Sequence, residues 1–137
     1  MCAFCGIIAG AEAAVVFEDE VSLAFLDHRP LFPGHTLLAP KQHCETLGDL
    51  PGNAVGRLFA NAQLLARAVE EGMQAEGTFV AINNRVSQTV PHLHIHVVPR
   101  RRGDGLRGFF WPRQKYADEE AIRLAQEAIR AAVERLR

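Results

Sequence analysis

Residues 91 to 99 run Pro-His-Leu-His-Ile-His-Val-Val-Pro, three histidines in strict alternation with apolar residues. In an extended strand successive side chains point to opposite faces, so His92, His94 and His96 share one face and Leu93, Ile95 and Val97 the other. The apolar row has to be covered by a core. The imidazole row, with about 6.6 to 7 Å between second neighbours, is then held on a rigid support. A solvated strand that carries its histidines by chance is the competing reading, and strict alternation between two prolines speaks against it.

The rest of the chain supplies what such a strand needs. Strands are predicted at 15–17 and 21–26 around the acidic turn Glu18-Asp19-Glu20, at 36–39 ended by Pro40, at 78–82, and at 92–98. Val55, Leu58, Phe59, Ala62, Leu65, Ala66 and Val69 recur at three and four residues, an amphipathic helix that Pro51 begins and Gly72 helps to end. A last helix starts near Asp118, a suitable N-cap, and aligns Ile122, Ala125, Ile129, Val133 and Leu136. Hairpin-scale connections predict an α+β domain spanning 1–137: a mainly antiparallel five-stranded sheet with one central helix and a C-terminal helix.

Charge and composition narrow the classes of function. With 48% hydrophobic and 23% charged residues, the chain is neither disordered nor fibrous. No apolar run approaches the ~18 residues of a spanning helix, and no basic segment followed by an apolar one opens the chain, so no membrane role and a cytoplasmic location are expected. A net charge of -1 argues against a dedicated nucleic-acid binder. Arg100, Arg101, Arg102, Arg107, Arg113 and Lys115 nevertheless follow the histidine strand closely, as a solvated face or as an attractor for an anionic substrate. Cys2, Cys5 and Cys44 are an odd number with no export signal, which makes a disulfide framework improbable. Cys2-x-x-Cys5 has the spacing of half a zinc site, and His43 and the histidine strand offer the missing nitrogens; two reduced thiols are the alternative.

Neutral imidazole is nucleophilic near pH 7, and it attacks phosphorus when one ring nitrogen is free and the other N–H is held by an acceptor. A middle histidine flanked by two others suits that role, because its neighbours can donate to the non-bridging oxygens. The opposing reading makes all three metal ligands. On a regular strand His92 and His96 stand about 13 Å apart at their bases, so converging three on one ion would need distortion.

The run from His92 to Val98 resembles the signature of the histidine triad family. The resemblance extends upstream through Phe25-Leu26-Asp27, Pro33-Gly34-His35 and Leu38-Ala39-Pro40-Lys41-Gln42-His43, with Phe4 and Ile7-Ile8 where the base pocket begins. It covers roughly residues 2 to 100. It implies a hydrolase or transferase acting at the α-phosphorus of a purine nucleotide, with His94 as nucleophile, His96 on the phosphate, His35 beside the triad and His92 completing it. It further implies that Asp27 accepts from the ribose hydroxyls, that Asn83, Gln88 and Thr89 bind phosphate or leaving group, and that Phe4, Ile7, Phe25 and Leu26 form the pocket. Bacterial members with an N-terminal Cys-x-x-Cys imply structural zinc on Cys2, Cys5, His43 and His92, and the family as a whole implies a homodimer with the two sheets joined.

Two segments depart from the family pattern. The stretch from Asn83 to Gln88 is shorter than usual and has Ser87 where related chains commonly place glycine, whose freedom at positive φ lets backbone approach phosphate. Phe109, Phe110 and Trp111 are expected to pack with the last helix, with a cover over the pocket or over a dimer partner as the alternative. The leading expectation is therefore nucleotidyl-histidine hydrolysis of a nucleoside phosphoramidate or a dinucleoside polyphosphate. A low-turnover nucleotide-binding regulatory module and a metal-binding protein with no nucleotide role are the alternatives.

Overall fold

The hairpin foreseen around the acidic turn joins β1 (Val15–Glu18) to β2 (Ser22–Leu26), and one carboxylate closes it. Asp19 Oδ1 accepts from the backbone N–H groups of Val21 and Ser22, both at 2.9 Å, while Oδ2 accepts from Asn61 Nδ2 at 2.9 Å. Burial would raise the Asp19 carboxyl, but the bonds from Asn61, Val21, Ser22 and Arg57 outweigh it and hold it at about 2. Asn61 also donates to the buried Ser22 hydroxyl at 2.7 Å, so the turn is tied to α2 (Gly52–Gly72).

The computed structural model describes residues 2–107 and 113–137. Two compact units divide the chain, one ending at Asp104 and the other running Gly105–Arg137. The first holds an antiparallel five-stranded sheet in the order β1-β2-β3-β5-β4, with β3 at Thr36–Pro40, β4 at Gly77–Ala81 and β5 at Ile95–Arg100. On one face Leu38, Leu93, Ile95 and Val97 pack with Leu58, Ala62, Leu65 and Val69 of α2. On the other face Phe4 of the short helix α1 (Ala3–Ile8) packs with Leu23, Phe25, Leu37 and Ala39. Because both faces are covered, Ser22 to Phe25 and all of β3 are buried without the in-and-out alternation of a half-exposed strand.

The strand expected at 92–98 is shifted to Ile95–Arg100. Before Ile95 the backbone bonds elsewhere: His92 N–H to the Val90 carbonyl at 2.8 Å and Leu93 N–H to the Cys44 carbonyl at 2.7 Å. Pairing with β3 stops at Leu38↔Ile95, short of Pro40, which has no N–H to offer a ladder. At the other end Pro99 does not end the strand, because pairing with β3 stops at Val97 and the strand then has β4 alone as neighbour. The alternation of side chains survives the shift, since Leu93, Ile95 and Val97 all enter the core under α2.

The turn into β3 depends on Gly34. Its φ is +95°, and a Cβ there would meet Met73 Cγ at 2.6 Å. Helix α2 runs to Gly72 as expected, and the left-handed residue that follows it is Gln74, with φ of 53°. In the second unit α3 (Glu119–Leu136) begins where expected, Asp118 Oδ1 accepting from Ala121 N–H at 2.8 Å. Helix α3 buries none of its residues, and Ile122, Ile129, Val133 and Leu136 are exposed. The aromatic run Phe109, Phe110 and Trp111 falls outside the described residues. Among those described, no helix is long and apolar enough to cross a membrane.

Candidate active site and metal centre

The histidines are brought to the α1 face of the sheet, and the hydrogen bonds around them decide which nitrogen carries each proton. His94 Nδ1 lies 2.7 Å from the His92 carbonyl. A carbonyl only accepts, so Nδ1 carries the hydrogen and Nε2 keeps its lone pair. The ring of Phe4 meets His94 edge-on, centroids 4.9 Å apart, and fixes its plane. In its neutral form the middle histidine thus has one defined tautomer, with the hydrogen on Nδ1 and none on Nε2.

A relay ends on the third histidine. Leu31 N–H donates to His35 Nδ1 at 3.1 Å, so the His35 proton sits on Nε2, which donates to His96 Nδ1 at 2.9 Å. That leaves the His96 proton on Nε2, available to an acceptor in the cavity. Burial first, then the facing His94 and His35 rings, push His96 down to about 4 against the pull of Asp27. His35 is lowered too, mainly by burial, with Asp27 opposing. Both rings are therefore neutral near pH 7, and the 3.9 Å approach of Asp27 Oδ2 to His35 Nδ1 is no ion pair, because that nitrogen already accepts from Leu31. Asp27, His35 and His96 could by distance hold a metal, but both His35 nitrogens are engaged, which makes this group a hydrogen-bond relay.

A cavity of about 550 Å³ opens over these groups. His94, His96 and Thr89 line one part of it, Asp27 another, and Phe4, Ile7, Phe25 and Leu26 give apolar wall. Asp27 Oδ1 caps the following turn by accepting Arg29 N–H at 2.9 Å, which leaves Oδ2 to face a ligand. The structure does not bring Asn83 or Gln88 into this lining. Asn83 is exposed, and Gln88 is spent on backbone groups away from the cavity: Oε1 accepts Arg85 N–H of its own loop at 2.8 Å and Nε2 donates to the Glu45 carbonyl at 2.7 Å. Ser87 adopts φ of 63° despite its side chain, and Arg85 φ of 69°, so the left-handed geometry that a glycine would favour is present, at a cost of about 1 to 2 kcal/mol per residue. Glu12 and His28 also line the cavity, and sequence reasoning missed them. The available signal for His28 was its place directly after Asp27, whereas Glu12 lies in a segment with no periodicity to place it.

On the far side of Phe4 the four residues expected to hold zinc converge. His92 Nε2–H donates to the Pro40 carbonyl at 2.8 Å, which leaves Nδ1 unprotonated. Cys2 Sγ and Cys5 Sγ each lie 3.5 Å from that Nδ1, His43 Nδ1 lies 3.1 Å from it, and Cys5 Sγ is 3.2 Å from His43 Nδ1. All four donor atoms fall within 4.8 Å of one another. A tetrahedral ion with bonds of about 2.3 Å to sulfur and about 2.0 Å to nitrogen has edges of roughly 3.3 to 3.8 Å, so the donor set fits zinc in both type and spacing. His92 is also pushed down, chiefly by burial, which favours the neutral ligand form. His92 joins the two sites: its ring stands in the cluster of four donors and its carbonyl orients the His94 ring.

Comparison with known proteins agrees with this geometry. The model of the HIT domain matches residues 9–103. An uncharacterized HIT-like protein of Mycobacterium tuberculosis is 45% identical over 108 residues, 77% of this chain and 75% of the relative. A zinc-bound histidine triad family protein from Mycobacterium smegmatis superposes with a TM-score of 0.73 at 42% identity, covering 99% of this chain and 97% of that one. More distant are an adenylylsulfatase of Arabidopsis thaliana, 33% identical over 77% of this chain and 55% of the relative, and an asymmetrical bis(5′-nucleosyl)-tetraphosphatase of Schizosaccharomyces pombe, 32% identical over 66% of this chain and 50% of the relative.

Proposed function

The chain belongs to the HIT-domain family, and on that premise we propose that it is a nucleotidyl hydrolase or transferase working through a nucleotidyl-histidine intermediate on His94. The observation that carries this reading is the bond from His94 Nδ1–H to the His92 carbonyl, which leaves a lone pair on Nε2 in the cavity. That lone pair attacks the α-phosphorus of a bound purine nucleotide, forming a P–N bond as the bond to the leaving group breaks. The His92 carbonyl stabilises the positive charge that grows on the ring. His96 Nε2–H and the Thr89 hydroxyl donate to the non-bridging oxygens. Water then cleaves the P–N bond, and the departing His94 returns to its neutral form.

The substrates we propose are a nucleoside phosphoramidate or a dinucleoside polyphosphate, the latter supported by the tetraphosphatase named among distant relatives, and the adenylylsulfatase named there is the reason to test a nucleotidyl sulfate as well. With Gln88 bound to backbone groups away from the cavity, leaving-group contacts fall to Thr89 and to whatever lies beyond it. A panel of phosphoramidate, dinucleoside polyphosphate and nucleotidyl sulfate at matched concentrations tests the reading through kcat/KM. Turnover of at least one, with a nucleoside monophosphate product, is expected; turnover of none would leave the regulatory-module reading in its place.

Asp27 supplies a second check. Its free Oδ2 accepts from the ribose hydroxyls, so Asp27→Ala is expected to cost a ribonucleotide roughly 1.5 to 3 kcal/mol and its dideoxy analogue much less. Calorimetric titration of both ligands against both proteins closes the cycle. Equal losses would mean that Asp27 shapes the pocket without reading the sugar.

When bound, zinc would be a structural ion on Cys2, Cys5, His43 and His92, holding the chain start against the sheet. We also propose a homodimer. Among the described residues β4 is an edge strand of the sheet, its Val80 is 44% exposed, and Phe59 of α2 is 40% exposed. Sedimentation at micromolar concentration that returned the mass of one chain would remove the dimer.

A further inference from the structure

The nucleotide cavity is apolar where a base would lie, apart from two side chains. Phe4, Ile7, Phe25 and Leu37 offer no hydrogen bond to a purine edge, so the walls alone hold adenine and guanine about equally. Glu12 and His28 break that uniformity. Both line the cavity, both are exposed, and among the described residues no hydrogen bond or ion pair engages either. Asp27, next to His28 in the chain, lines the same cavity.

We infer that Glu12 and His28 read the base edge and select guanine over adenine; the inference rests on the nucleotide reading above. A carboxylate has only acceptors, and guanine presents two adjacent donors, N1–H and the N2 amine, which a carboxylate takes in parallel. The neighbouring guanine atom is the O6 acceptor, which suits an N–H of His28. Adenine reverses two of these positions. Its N1 is an acceptor that would face the carboxylate, and its N6 amine is a donor that would face the imidazole N–H. Mispaired polar groups discriminate more strongly than missing methylenes, because each loses its water without gaining a partner.

The test measures dissociation constants for guanosine, inosine and adenosine 5′-monophosphates by calorimetry, with the parent and with Glu12→Gln, Glu12→Ala and His28→Ala. The parent is expected to bind the guanine nucleotide at least about tenfold more tightly than the adenine one, near 1.4 kcal/mol. Inosine, which lacks the N2 amine, should fall between them. Glu12→Gln should bring adenine to parity or ahead, since an amide offers the donor and acceptor that an adenine edge needs, and Glu12→Ala and His28→Ala should each narrow the preference. Equal affinity for guanine and adenine nucleotides in the parent would overturn the inference, as would an unchanged ratio in Glu12→Ala. In either case the substrate panel still decides the catalytic reading, whereas failure of all three nucleotides to bind would overturn both.

Discussion

His94→Ala is expected to lower kcat at least about 10³-fold while nucleotide affinity stays within a fewfold of the parent. The substitution removes the only nitrogen in the proposed mechanism that forms a bond to phosphorus. The groups assigned to holding the nucleotide remain: Asp27 on the sugar, the apolar wall of Phe4, Ile7 and Phe25, and the His35–His96 relay, whose bonds do not pass through His94. Phe4 loses an edge-on contact, so a modest loss of stability accompanies the change. Single-turnover kinetics with the parent should also show a chain heavier by one nucleotidyl group on rapid alkaline quench, which preserves an acid-labile P–N bond, and the variant should not. Activity within tenfold of the parent would remove His94 from the role of nucleophile.

How legible this was in the sequence differs by element. Period-2 alternation at Leu93, Ile95 and Val97 named the core face of β5 correctly even though the hydrogen-bonded strand starts later, because alternation reports burial and not ladder bonds. The 3.6-residue spacing of Leu58, Ala62, Leu65 and Val69 was equally readable, and it places α2 on that face. The short helix α1 was missed because six residues hold less than two turns, although Phe4, Ile7 and Ile8 stand at helical spacing. The commitment of Gln88 to Glu45 and of Asn84 Oδ1 to Leu47 N–H was beyond reach, since both join segments about forty residues apart in a loop without periodicity. Cys2, Cys5, His43 and His92 could be grouped through the family resemblance, but only their geometry shows that the carbonyl of His92 also holds the His94 ring.

Metal analysis of protein purified without chelator should find about one zinc per chain, and Cys5→Ser or His43→Ala should remove most of it, because a structural site that loses one of four ligands loses affinity and folding free energy together. The expected consequence is local before it is global. Helix α1 is too short to persist on its own, and its described anchors are the packing of Phe4, Ile7 and Ile8 and the convergence of Cys2 and Cys5 on His43 and His92. Without the ion, His92 Nδ1 still lacks a proton, since Nε2–H is committed to Pro40, and a hydrogen bond from His43 Nδ1–H would be a far weaker tie than coordination. Hydrogen exchange should therefore quicken over residues 3–8 in His43→Ala before it does in α2 or β3, and nucleotide affinity should fall because Phe4 and Ile7 are wall residues of the cavity. His94 keeps its acceptor, the backbone carbonyl of His92, so kcat at saturation should fall less than affinity. A well-folded parent protein free of zinc would exclude the site, and a zinc-free variant with unaltered exchange over residues 3–8 would show that apolar packing by Phe4, Ile7 and Ile8 is enough to hold α1.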